Sequence, residues 1–148
     1  MTIYFYKVYD PYGCFSNFSP HEIYCEGLSW LSVEHYYQAH KFQNTQDEWL
    51  MGKIHDVSTP EEAASIGRNP QYQVRGDWEE IKRNIMWQGV LTKFTNHLDI
   101  QKILLDTKDE IIVENSPTDY YWGCGNDNTG RNELGKILMR VRDYLKNS

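Results

Sequence analysis

The stretch Ser32-Val33-Glu34-His35-Tyr36-Tyr37-Gln38-Ala39-His40-Lys41-Phe42 decides the fold. It contains no Gly or Pro, and a Ser stands before the run with an acid two places on. A Ser oxygen satisfies one of the N–H groups that a helix start leaves open, and an early carboxylate suits the positive end of the helix dipole. The pattern predicts a helix from Val33 to Phe42. Tyr36, Tyr37 and Phe42 require that helix to be packed on most sides. Glu34, Gln38 and Lys41 share one face, because separations of four and seven residues approximate one and two turns. On periodicity alone the simpler reading is a solvated polar face. The aromatic neighbours argue instead for a lined site, where burial would lower the amine's pKa and raise the carboxyl's. That would suit a nucleophilic Lys41 and a proton-transferring Glu34.

Working towards the N-terminus, Glu22 to Cys25 and Leu28 to Trp30 flank Glu26-Gly27 as a short hairpin. Ser16-Asn17-Phe18-Ser19-Pro20 reads as a loop. Ile3 to Tyr9, dense in aromatic and β-branched residues, reads as a strand stopped by Asp10-Pro11-Tyr12-Gly13. Towards the C-terminus, Thr59-Pro60-Glu61-Glu62 repeats the grammar of a capped helix start, with Gly67 as the stop. Trp78, Ile81, Ile85, Val90 and Phe94 recur near the 3.6-residue period and predict a helix from Asp77 to Phe94, with Gly89 as its weak point. A helix over Leu98 to Leu105 and a strand over Ile111 to Val113 follow. A closing helix runs from Leu134 to Leu145, with Lys136, Arg140, Arg142 and Lys146 on its wetter side. There is no repeat, linker or low-complexity tract. The expected class is α+β, one mostly helical domain over residues 1–148 packed around a few short strands.

Composition narrows the chemistry. The formal charge of -6 repels nucleic-acid phosphates, so duplex binding is not expected as the main role, whereas one small phosphorylated metabolite needs only a few local donors. The 3 cysteines contain no CxxC pair and the 5 histidines no HExxH spacing, so neither a disulfide framework nor a metal site is expected. No apolar run approaches the roughly 20 residues that span a bilayer, and the start carries no leader pattern. A cytoplasmic protein without membrane contact is the expectation.

Two further clusters could carry chemistry. Glu114-Asn115-Ser116-Pro117-Thr118-Asp119-Tyr120-Tyr121-Trp122-Gly123-Cys124-Gly125 crowds acids, aromatics and glycines at a strand end, reading either as a binding loop or as a turn with an aromatic anchor. Gly130-Arg131-Asn132-Glu133-Leu134-Gly135 leads into the last helix, with Asn132 as a candidate cap and the helix start as a possible anion site.

These clusters occur in order with Phe15-Ser16-Asn17-Phe18, Trp30, Lys93-Phe94 and Leu104-Leu105, and together they resemble the NADAR family, also called YbiA-like, over nearly the whole chain. Where that family often shows Thr-Gly-Asp, this chain has Thr107-Lys108-Asp109. The resemblance implies hydrolysis of N-glycosidic bonds without metal or organic cofactor. Some members of the family release ribose 5-phosphate from ribosylamino-pyrimidines early in riboflavin synthesis, and others remove ADP-ribose from guanine. Carried over by position, the resemblance implies Lys41, Glu34 and Asp119 as catalytic residues and Asn17, Glu114, Trp122, Gly123 and Asn132 as substrate-binding ones. The substrate it implies here is a small phosphorylated ribosylamine, with ADP-ribosylated guanine as the alternative and a non-catalytic ADP-ribose or NAD module as a third reading. Two mechanisms stay open: a Schiff base on Lys41, or a closed sugar stabilised between two carboxylates.

Overall fold

Ser32 caps the first helix as its sequence demands. In the computed structural model, which describes all residues Met1–Ser148, its Oγ accepts the N–H of His35 at 3.2 Å and opens α1, Val33–His40. The helix closes two residues before the expected end. The N–H groups of Lys41 and Phe42 turn back to the carbonyls of Gln38 and Ala39 at 3.3 and 3.1 Å, the tighter spacing that finishes many helices. All 8 residues of α1 are buried, so the packing its aromatics require is met on every side.

The chain folds as two compact units. The unit of residues 20–96 is built round α1. It contains the hairpin β2 (Ile23–Cys25) and β3 (Leu28–Trp30), then α2 (Leu50–Asp56), α3 (Pro60–Gly67) and α4 (Trp78–Asn96). Helices α2, α3 and α4 all pack on α1. The hairpin turns on Glu26 and Gly27, both at positive φ (54° and 82°), as a two-residue hairpin turn that follows the strand twist requires. Thr59 caps α3 by accepting the N–H of Glu62 at 3.1 Å, with Pro60 in the first turn. Gly89 is not the weak point of α4. A Cβ there would sit 3.1 Å from both the Tyr36 ring and the Val33 side chain, so the glycine lets α4 pack closely on α1 at that point.

The other unit comprises residues 1–19 and 97–148. Strand β1, Thr2–Phe5, pairs in parallel with β4, Ile111–Glu114, placing Ile3 opposite Ile112 and Phe5 opposite Glu114. The expected strand to Tyr9 stops at Phe5 because Asp10 folds the chain: its carboxylate accepts the N–H of Lys7 at 2.9 Å, and its own N–H bonds the Lys7 carbonyl. Helices α5, Leu98–Leu105, and α6, Glu133–Lys146, complete the unit, with α6 packed on both α5 and β4. Arg142 departs from its expected wet face. It is buried, and its Nη1 donates to Thr107 Oγ1 at 2.9 Å and to the Glu110 carbonyl at 2.8 Å, tying α6 to the turn after α5. In that turn Lys108 stands where the family pattern has Gly and still takes the left-handed conformation, φ 56°, so the turn survives with a side chain in a backbone region that glycine fills more cheaply. The architecture is thus α+β, mostly helical, with two two-stranded sheets.

Candidate active site

In the unit of residues 20–96, α1 and the turn after it bring a carboxylate and an amine into one buried setting. Glu34 and Gln38 lie one turn apart, and Gln38 Nε2 donates to Glu34 Oε2 at 2.7 Å; the two residues are only 4% and 2% exposed. Arg68, just past the end of α3, reaches to 3.9 Å from the same oxygen. Lys41 follows α1 in helical conformation, and its Nζ donates to the Gly67 carbonyl at 3.2 Å. Its amine lies 5.8 Å from the Tyr37 ring centre. Burial pushes the Lys41 pKa down to about 8; the Glu34 charge works against that shift, while Arg68 and Lys82 add to it. A lysine so placed supplies neutral amine near neutral pH, with a carboxylate close enough to act on it electrostatically.

Lys41 opens into a cleft of about 450 Å³, walled by Tyr37 and Trp78, whose rings stand 5.0 Å apart, and edged by Arg75, Glu79 and Lys82. Each Arg75 guanidinium nitrogen makes one bond, two to Asp77 at 2.7 and 3.1 Å and one to Gln43 at 2.9 Å. Sequence reasoning did not single out Trp78 and Lys82 for this role. Their spacing of four on α4, which puts both on one face, was the available signal.

The remaining candidates belong to the other unit. Asp119 Oδ1 accepts the N–H groups of Tyr121 and Trp122 at 2.9 and 2.7 Å, while the Asp119 N–H donates to Ser116 Oγ at 3.2 Å. One carboxylate oxygen therefore shapes the loop. Trp122 is half-buried, edge-on to Tyr121 with ring centres 4.7 Å apart. Gly123 is there because a Cβ would come within 2.9 Å of the Glu114 carbonyl. Asn132 spends both ends of its amide on β4, donating to the Ile112 carbonyl at 2.9 Å and accepting the Glu114 N–H at 3.0 Å. It flanks α6 in the left-handed region, φ 52°, without a side-chain cap bond. The start of α6 is no open anion site, since the N–H groups of residues 131–134 bond the carbonyls of Tyr120, Gly123, Tyr121 and Trp122. Asn17 is buried and Glu114 half-buried. No three His, Cys, Asp or Glu side chains cluster as a metal ion would need, and no helix is long and apolar enough to cross a membrane.

Comparison with known proteins gives the family of the chain. The NADAR domain model matches residues 4–146. An N-glycosidase of Nostoc punctiforme is 55% identical over 99% of this chain and 94% of its own length. The chloroplastic riboflavin biosynthesis protein PYRR of maize is 42% identical over 95% of this chain, which corresponds to 25% of that longer protein. The NMR structure of Escherichia coli YbiA superposes with a TM-score of 0.91 at 37% identity, covering 99% of this chain and 86% of that one. The chain belongs to the NADAR domain family, in the company of the YbiA-like N-glycosidases.

Proposed function

We propose that this chain hydrolyses the N-glycosidic bond of a phosphorylated ribosylamino-pyrimidine and releases ribose 5-phosphate, acting as one NADAR domain in the cytosol. The class of enzyme, an N-glycosidase, is that of its relatives at 40–55% identity. The substrate is supported by the riboflavin biosynthesis protein among those relatives. The observation that carries the mechanism is the Lys41 amine, with its pKa near 8, in an open cleft and in the field of the buried Glu34.

A ribosylamine, unlike an ordinary nucleoside, opens its ring to an imine between C1 and the base nitrogen. Neutral Lys41 adds to C1, its two amine protons pass to the base nitrogen, and the C1 bond to that nitrogen breaks as it leaves as a free amine. The bond left behind is a Schiff base between Lys41 and C1. Water then adds to C1 as Glu34 accepts a proton, and the carbinolamine collapses to free Lys41 and the aldehyde form of ribose 5-phosphate. Asp119 is the second candidate acid, and Asn17, Glu114, Trp122, Gly123 and Asn132 remain proposed substrate contacts.

Borohydride added during turnover tests the route. It should convert the Schiff base to a secondary amine and add the reduced sugar phosphate to the peptide containing Lys41. Lys41→Arg keeps the charge but cannot form the imine, so it should be nearly inactive. An active Lys41→Arg enzyme with no trapped adduct favours the closed-sugar route between two carboxylates.

A further inference from the structure

The Lys41 cleft carries a second cation for which the covalent chemistry has no use. Three basic residues edge it, and they differ in how their charge is held. The Arg75 guanidinium is fixed on both oxygens of Asp77 and on Gln43, so its charge is already balanced and its fork already aimed. Lys82 is held differently. Its side chain is only 11% exposed, while the carboxylate it meets at 2.7 Å belongs to Glu79, whose side chain is 79% exposed. The ammonium is pinned, while the Glu79 carboxylate that it meets stands in water. A pair of that kind contributes little stability, so the carboxylate can be exchanged for a better anion at small cost. A phosphomonoester is such an anion, with more charge and three acceptor oxygens.

The place fits as well. Lys82 and Lys41 edge the same cleft, and they are close enough for the charge of Lys82 to act on Lys41. The volume of about 450 Å³ lies within the range of small-ligand pockets, and Tyr37 and Trp78 contribute to its lining. We propose that Lys82 binds the 5-phosphate of the ribosyl substrate while Lys41 reaches its anomeric carbon, and that Glu79 is a placeholder which the phosphate displaces. The identity of the sugar rests on the function proposed above; the anion site rests on the cleft.

Calorimetric titration of ribose 5-phosphate and of ribose into the wild-type protein and three variants tests it. The wild type should prefer the phosphate. Lys82→Met keeps the buried stem and should lower that preference roughly tenfold or more, the usual cost of losing one hydrogen bond to a charged group. Lys82→Arg should restore part of it. Glu79→Gln should tighten ribose 5-phosphate, because it removes the competing carboxylate; loss of a merely structural ion pair would not give opposite signs at its two ends. A Lys82→Met protein with undiminished preference, or weaker binding by Glu79→Gln, overturns the proposal. The two readings fail separately. Lys82-dependent binding without cleavage of any ribosylamine keeps the subsite and sinks the proposed activity, whereas cleavage with a phosphate preference unchanged in Lys82→Met does the reverse.

Discussion

Lys41 owes its lowered pKa first to burial, with its Nζ held on the last carbonyl of α3 and near the ring of Tyr37. With a pKa of about 8, roughly one amine in ten is neutral at pH 7, against fewer than about one in a thousand for an unperturbed lysine. If the neutral amine is the attacking group, as proposed, turnover should rise with pH through about 8 and level off above it. The negative charge of Glu34 holds that pKa up and the positive charge of Arg68 holds it down. Glu34→Gln should therefore move the limb to lower pH, and Arg68→Ala to higher pH. If Glu34 transfers the proton, Glu34→Gln should also lower the plateau about a hundredfold. A pH profile of kcat for the three proteins checks all of this, and a limb that neither variant moves would not belong to Lys41. Trp122 presents a half-buried indole in a polar loop. Trp122→Ala should weaken substrate binding by about 1 to 3 kcal/mol if a base stacks there, read as a raised KM in a protein that still folds. An unchanged KM removes Trp122 from the substrate contacts.

Helices that look alike in sequence differ in what their glycines do. Gly52 in α2 is exposed, and a Cβ there meets nothing within 4 Å, so Gly52→Ala gains helix propensity at no steric cost and should stabilise by about 0.5 to 1 kcal/mol. Gly89 in α4 faces Tyr36 and Val33, each 1% exposed and unable to retreat. The same substitution there should destabilise the protein, because overpacking a tight contact costs about 1 to 3 kcal/mol and outweighs the propensity gain. Thermal denaturation of the pair decides it, and a stabilising Gly89→Ala would show that α1 and α4 are not in close contact. Gly89 as a packing residue was not legible in the sequence, where it reads only as a poor helix former. The caps on Ser32 and Thr59 were legible, since their partners lie three residues away.

At the scale of the whole molecule, the charge of -6 argues modestly against a nucleic-acid substrate. Phosphate-backbone binding needs Lys and Arg to release counterions, and several of the basic groups here are already engaged: Arg75 with Asp77, Arg131 with Glu133, Lys102 with Asp106, and Arg142 in the interior. At about 0.1 M salt the protein should not retard duplex DNA at concentrations that saturate ribose 5-phosphate binding. Salt-sensitive DNA binding in that range would revive the ADP-ribosyl-guanine reading, and product analysis for ADP-ribose would complete the test.

What the sequence determined by itself are the features whose causes lie within a few residues. These are the capped starts of α1 and α3, the Glu26-Gly27 turn, the helical runs α4, α5 and α6, and the shared face of Glu34, Gln38 and Lys41. Local hydrogen bonds and the 3.6-residue period act over one or two turns, so they are written in adjacent letters. The tertiary structure alone decided the rest. It paired β1 in parallel with β4 from the far part of the chain, ended β1 early through Asp10, and took Arg142 out of its expected wet face into the interior. It also set the state of Lys41. The Gly67 carbonyl and Arg68 reach that amine from the end of α3 and Lys82 from α4, and burial and charge act through space, whatever the separation along the chain.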